Sequence, residues 1–228
     1  MDAVATSHRA QRQLVLDASH ELRTPLTSLR TNVEIVDRLP ELPPSERRLV
    51  QRDMLAEIKE LTDLVGNLTS LVRGERHPLP PEAYWLDAVV ARSVSTMTAY
   101  ARTKDISIST MLEPTCVHGH PDELERAVSN LLSNAIKWGP AGSEVEVVCR
   151  SGIVRVKDRG PGIAEEDLPF IFDRFYRSAS DRSLPGSGLG LAIVAQAVAT
   201  DVGSVAVANR PHGGAEFSIR LGETSGCP

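Results

Sequence analysis

The chain has 228 residues, 41% of them hydrophobic and 24% charged, with a formal net charge of -5. That balance suits one or two globular domains with real cores, and an acidic sign without a dense Lys/Arg cluster argues against direct nucleic-acid binding. Three cysteines, Cys116, Cys149 and Cys227, lie far apart with no CxxC pair, so a reduced cytoplasmic setting is expected in place of a disulfide framework or a zinc site.

The first expected element is a helix from about His8 to Leu39, in which Leu22, Leu26, Leu29, Val33 and Val36 step by four and three. The run PELPP (Pro40 to Pro44) breaks it. Ser45 and Glu46 are placed to cap a second helix, where Met54, Ile58, Leu61, Val65, Leu68 and Val72 repeat the alternation. Two antiparallel helices with one apolar seam each form a hairpin that cannot bury both seams alone. A dimeric four-helix bundle is the simplest solution, and an amphipathic pair inside a single globule is the blander one.

The stretch GERHPLPPE reads as a linker, giving a first domain at 1–74, a linker at 75–82 and a second domain at 83–228. In the second domain a helix is expected over Leu86–Arg102, a strand in DISISTML, and a helix from Pro121 to about Lys137. The strands EVEVVCR and IVRVKD turn at Ser151-Gly152, and a polar, Gly/Pro-bearing stretch follows from Arg159 to Gly186. A helix starts near Gly188, and the strands SVAVAN and AEFSIRL finish the chain. The fold class is α + α/β, with the second domain a sandwich of helices on one face of a mixed sheet. No signal peptide opens the chain, and the most apolar stretch, from Gly188, is shorter than the ~20 residues that span a bilayer. A soluble chain is expected, attached to a membrane only through segments it does not contain.

Four clusters carry chemistry. In SHELRTPL (Ser19 to Leu26), His20 falls about 200° around the helix from Leu22 and so faces solvent. Glu21 can bond one imidazole nitrogen and raise the nucleophilicity of the other, and Pro25 invites a local bend. A plain surface histidine beside a glutamate explains the dipeptide but not the whole octet. In NLLSNAIKWGP, Asn130, Asn134 and Lys137 share one helical face. Two amides and an ammonium there can hold a hydrated Mg²⁺ and phosphate oxygens. A solvated polar face is the alternative, though asparagine is a weak helix former. In DRGPGI, Asp158 at a strand end can accept a bond from an exocyclic amine such as that of adenine, or serve common turn chemistry. In GSGLGLAIV, glycines at a helix start offer bare N–H groups to phosphates. Between these last two lies FDRFYR, where Arg174 or Arg177 can reach a phosphate. No Walker loop is present, nor the V-A-I-K, H-R-D and D-F-G set of protein kinases.

Together these pieces resemble the cytoplasmic catalytic core of a bacterial sensor histidine kinase, over nearly the whole chain from about Gln11 to Leu221. An H box (Ser19–Leu26), N box (Asn130–Lys137), G1 box (Asp158–Ile163), F box (Phe172–Arg177) and G2 box (Gly186–Leu191) occur in the family's order. The resemblance implies a dimerisation and phosphoacceptor hairpin, then an ATP-binding domain of the gyrase, chaperone and mismatch-repair superfamily, the Bergerat fold. It implies that His20 attacks the γ-phosphate of ATP with Glu21 as its base, and that Asn134, helped by Asn130, ligates Mg²⁺. Lys137 would contact phosphate, Trp138 would pack beside the nucleotide, and Asp158 would hold the adenine amino group in a pocket shaped by Gly160 and Gly162. Arg177 would stabilise the transferring phosphoryl group. Gly186, Gly188, Leu189 and Gly190 would close the lid. A response regulator's aspartate would receive the phosphoryl group, and Thr24 would serve regulator dephosphorylation.

Three departures stand out. Trp138 replaces the usual Tyr, Phe or His. His120 replaces the aspartate of GDP, an exchange expected to affect capping. TDVGSV near Thr200 lacks the usual HGG, though His212-Gly213-Gly214 lies later. Two other classes compete with the autokinase: a scaffold whose ATP domain is degenerate, which the intact Asn134, Asp158 and glycine boxes oppose, and a conformational ATPase, in which the H box has no role.

Overall fold

The computed structural model describes residues 2–36, 43–74, 80–178, 186–201, 203–224 and 226–227. The chain divides into two compact units: Met1–Thr69 with Ala179–Ser187, and Ser70–Ser178 with Gly188–Pro228.

The first unit holds two long helices, α1 (Asp2–Val36) and α2 (Pro44–Gly74). Most of the expected PELPP break lies outside the described residues. Pro44 is already helical, and Arg47 N–H donates to the Pro43 carbonyl at 3.1 Å. The cap is therefore Pro43, not Ser45, because a proline at the first helical position has its φ preset and lacks the N–H that would go unpaired. The α1 helix runs through Pro25, which is buried.

The apolar seams divide lengthwise. Leu22 and Leu29 on α1, and Met54, Leu61 and Leu68 on α2, are half-buried, whereas Leu26, Val33, Ile58 and Val65 are 47–52% exposed. A step of four residues overshoots a full turn by about 40° and a step of three falls short by about 60°, so alternate members line the two edges of the stripe. One edge is covered within the chain and the other is open.

The second unit contains β1 (Glu82–Trp85), α3 (Leu86–Thr103), β2 (Ser107–Leu112), β3 (Cys116–Gly119), α4 (Pro121–Trp138), β4 (Glu144–Arg150) and β5 (Ile153–Lys157). It closes with α5 (Gly190–Thr200), β6 (Ser204–Asn209) and β7 (Ala215–Arg220). The strands form a five-stranded sheet in the order β2-β4-β5-β7-β6, parallel only between β2 and β4. Val147, Val156, Phe217 and Val207 stand in register across it. That face packs on the buried residues of α3, α4 and α5, Leu86, Val90, Leu131, Leu132 and Val194 among them. The opposite face carries the row Glu146, Lys157, Glu216, where the lysine lies 3.8 Å from both carboxylates. This alternation is the period-2 pattern of a sheet buried on one side.

Two strands were not expected. β1 and β3 pair antiparallel as a separate small sheet, with Trp85 opposite Cys116, and Glu82 from the expected linker is the first residue of β1. The cysteine reading is also corrected: Cys116 and Cys227 form a disulfide across 111 residues of sequence. The tail is brought to β3 by a bridge between Val117 and Glu223 and by the bond from Thr224 N–H to the Cys116 carbonyl at 3.0 Å. Cys149 is free and buried on β4, where burial, then the Asp87 and Glu113 carboxylates, push its thiol up to about 12.

At pH 8 without reductant, iodoacetamide is therefore expected to modify no cysteine of the native protein, only Cys149 after unfolding, and Cys116 and Cys227 only after reduction. Mass spectrometry counts the adducts. Modification of Cys116 in unreduced, unfolded protein would contradict the pairing.

Candidate functional site

On α1, His20 is exposed, as its offset from Leu22 requires. Pro25 has no N–H to offer the carbonyl of Glu21, one turn upstream. The Glu21 and Thr24 side chains lie outside the described residues.

In the second unit, α4 is amphipathic along its whole length. Leu124, Val128, Leu131, Leu132, Ala135 and Ile136 are buried, and the opposite face carries Asn130, Asn134 and Lys137, all half-buried. Asn130 Nδ2 donates to the Arg126 carbonyl at 2.9 Å, which leaves its Oδ1 as an acceptor. Asn134 makes no side-chain hydrogen bond among the described residues. That leaves the Asn134 amide available to a ligand. Lys137 Nζ lies 4.5 Å from the centre of the Trp138 ring. The departure to tryptophan thus supplies a cation–π partner that holds the ammonium at the C-terminal end of α4.

Asp158 ends β5 and is 6% exposed. Its Oδ1 accepts the N–H groups of Gly160 at 2.8 Å and Ala215 at 3.1 Å, and the Arg210 guanidinium donates to its carbonyl at 2.8 Å. A Cβ on Gly160 would lie 3.0 Å from both Oδ1 and the Trp138 carbonyl oxygen, so the G1 loop passes close to both and a side chain there would crowd them. Gly162 has φ 80. The next residue is gripped by Asn209, whose Oδ1 accepts from Ile163 N–H at 2.8 Å and whose Nδ2 donates to the Ile163 carbonyl at 2.7 Å.

The F box folds against the same region. Phe172 meets Phe217 edge-on with ring centres 6.5 Å apart, and the Tyr176 hydroxyl donates to Asp167 at 2.6 Å. Phe175 has φ 63 and accepts close approach from Gly188, where a Cβ would lie 2.7 Å from the Phe175 carbonyl carbon. Gly188 is thus demanded by the F-box turn. Arg177 is half-buried. Gly186 has φ 144. Leu189, fully buried, precedes Gly190 at the start of α5, and no side chain caps that end. Gly190 also faces Asn130, with 3.1 Å from a built Cβ to Oδ1. Asn130 of the N box, Gly188 and Gly190 of the G2 box and Phe175 of the F box are therefore brought together at one end of α5, an end with open N–H groups and a positive dipole.

Sequence reasoning missed Asn209, Arg210 and Gly214. His212-Gly213-Gly214 is the β6–β7 turn: a Cβ on Gly214 would collide with the Asp158 carbonyl oxygen. That position backs Asp158 and is no substitute for the missing HGG. His120 stands at the N-cap of α4 but makes no side-chain cap bond, in line with the expectation that its exchange for aspartate affects capping. Among the described residues, no cluster of three His, Cys, Asp or Glu side chains could hold a metal. The oxygen-rich, mostly neutral set on α4 fits Mg²⁺, which usually takes only one or two ligands from the protein beside phosphate.

Residues 10–77 match the model of the His Kinase A (phospho-acceptor) domain, and residues 119–225 match that of the histidine kinase-, DNA gyrase B-, and HSP90-like ATPase. The chain is 42% identical over 222 residues to the signal transduction histidine-protein kinase/phosphatase MprB of Mycobacterium avium, covering 93% of this chain and 42% of that protein. It is 43% identical over 223 residues to the protein of the same name from Mycobacterium bovis, again covering 93% of this chain but 44% of the relative. The chain thus spans less than half the length of these curated relatives. Among solved structures, a mycobacterial sensor histidine kinase MprB is 36% identical with TM-score 0.57, covering 62% of this chain and 98% of that one. The histidine kinase AdeS of Acinetobacter baumannii is 26% identical with TM-score 0.68, covering 90% and 98%.

Gly214→Ala is expected to destabilise the second unit by about 2 kcal/mol or more, since it combines positive φ with a backbone collision. Hydrogen exchange should quicken first in residues 158–163. Unchanged protection there would show that the turn does not back Asp158.

Proposed function

The chain belongs to the sensor histidine kinase family, and from that premise we propose that it is an ATP-dependent autokinase that phosphorylates its own His20. The observation that supports this reading is that one chain carries both an exposed histidine on α1 and, in its second unit, Asn130, Asn134, Asp158, Gly188 and Gly190. Residues 1–74 are the dimerisation and phosphoacceptor domain, and the expected linker at 75–82 gives up Glu82 to the catalytic domain, which runs on to 228, because Glu82 pairs with Gly119 of β3.

In this reading the free oxygen of the buried Asp158 accepts the adenine amino group, while its other oxygen is engaged by two backbone N–H groups. Asn130 and Asn134 hold Mg²⁺, which supplies charge neutralisation on the phosphates. Lys137, steadied on Trp138, and the open N-terminus of α5 meet the phosphate oxygens. Arg177 stabilises the charge on the transferring phosphoryl group. Glu21 takes the imidazole proton as the Nε2–P bond forms and the bond to the leaving ADP oxygen breaks. The phosphoryl group then passes to an aspartate of a response regulator, and Thr24 serves the reverse, dephosphorylating activity. The exposed edges at Leu26, Val33, Ile58 and Val65 are covered by a second copy of the chain, giving a homodimer. Among the described residues no helix is long and apolar enough to cross a membrane. The chain is the cytoplasmic portion of a longer membrane sensor, with no direct nucleic-acid contact.

Incubation with γ-labelled ATP and Mg²⁺ tests the reading. The protein is expected to take up label that is lost in acid and kept in base, and His20→Gln to abolish it with nucleotide affinity unchanged. Stable label remaining on His20→Gln defeats the assignment.

Thr24→Ala is expected to leave self-labelling near normal and to slow loss of phosphate from the regulator by about tenfold or more, in the range one positioned hydrogen bond contributes. A wild-type dephosphorylation rate in Thr24→Ala would remove Thr24 from the mechanism.

A further inference from the structure

The ends of α4 and α5 remote from the G2 glycines are joined by a buried polar contact that the proposed reaction does not use. His120 precedes α4 and Asp201 follows α5. His120 Nδ1 lies 2.6 Å from Asp201 Oδ1, with the side chains 15% and 3% exposed. The other Asp201 oxygen accepts the His120 backbone N–H at 3.0 Å. Gly119 makes the approach possible, because a Cβ there would collide with the Asp201 carboxylate. Tyr84 lies in the same buried region: burial first, then the Asp201 charge, raise its phenol, whose oxygen has no hydrogen-bond partner among the described residues. Two of the three places where the sequence departs from the family pattern, His120 and the Asp201 of TDVGSV, are therefore one contact.

Its position gives it leverage. About ten residues along α4 from His120, a rise of roughly 15 Å, Asn130 meets Gly190, the first residue of α5. The two helices thus run antiparallel, joined at one end by the polar pair and meeting at the other where the nucleotide groups converge. The buried residues of both helices are all apolar. Apolar contact is non-directional, whereas two hydrogen bonds between His120 and the two Asp201 oxygens, in fixed geometry, admit one axial register. A buried polar pair of this kind is a weak source of net stability, so its effect is expected mainly in arrangement.

We infer that the His120–Asp201 pair is a register pin: it sets α5 along α4 so that the open N-terminus of α5 stands opposite Asn130 and Asn134, and so raises affinity for ATP. The inference rests on the ATP-dependent reading above. His120 and Asp201 are positioning residues.

Titration calorimetry of the full chain with Mg-ATP tests it. His120→Asp and Asp201→His each leave a charge or ring without its partner and are expected to weaken ATP binding about tenfold, the worth of a charge-assisted hydrogen bond. Asp201→Asn, the mildest change, is expected to weaken it about threefold. The reciprocal double variant, His120→Asp with Asp201→His, restores the pair and is expected to bind within about twofold of the unaltered chain. Leu124→Ala, a cavity at the same end of α4, separates positioning from stability: it should lower the melting temperature while leaving affinity within about twofold. Unchanged affinity in Asp201→Asn and both exchanges, no rescue by the double variant, or an equal loss in Leu124→Ala each overturn the pin. An unaltered chain that gives no heat with Mg-ATP overturns both pin and kinase reading. One that binds ATP without labelling itself overturns the autokinase alone.

Discussion

The tie between Asp158 and the start of β7 is the constraint on which the catalytic domain's site depends. One carboxylate oxygen takes two backbone N–H groups, from Gly160 and Ala215, inside a protein environment where few waters could replace them. That arrangement exists only in the register that sets Lys157 opposite Glu216, because Asp158 and Ala215 are the next residues along. A slip of one residue would move the Ala215 N–H away and turn Phe217 from the core to the charged face. The charged face contributes in turn. Glu146 receives Arg210, and Arg210 holds the Asp158 carbonyl, so the row of ions on the sheet's outer side steadies the buried carboxylate. This packing leaves no room for a Cβ at Gly214 and would crowd one at Gly160.

Much of this was legible in the sequence because it obeys local rules. Helix periodicity located α4, alternation located β4, β5 and β7, and the turn at Ser151-Gly152 needed only the two residues that adopt positive φ there. What escaped was non-local. β1 and β3 are four residues each, and their pairing joins segments more than thirty residues apart, so neither has a periodic signal of its own. Cys116 and Cys227 were too far apart in sequence for their spacing to mean anything; the strand bridge beside them brings them together. Asn209 and Arg210 looked like an ordinary turn after a strand, and only the fold sets them behind the G1 loop. The apolar stripe of α1 and α2 was read as a single seam because the sequence gives the spacing of its members but not which edge is covered.

The polar groups of the second unit differ in how fully they are satisfied, and that difference separates site from surface. Glu146, Lys157, Arg159, Arg210 and Glu216 are paired with one another across the sheet. A face of that kind is complete in water and asks for no ligand. On α4 the pattern is reversed. Asn134 sits within a helix, where asparagine is intrinsically poor, and has no hydrogen-bond partner among the described residues. Beside Asn130, α5 begins without a side-chain cap, and Phe175 holds a positive φ against Gly188. Each is a small local cost that packing alone does not explain, and all of them fall in the four boxes that the family resemblance assigns to nucleotide. The helical unit shows the same logic in apolar terms. One edge of each seam is covered and the other is exposed, and that exposed edge is the surface on which the proposed homodimer rests. The His120–Asp201 contact is a matched polar pair set at the end of two helices whose opposite ends carry Asn134 and the uncapped start of α5.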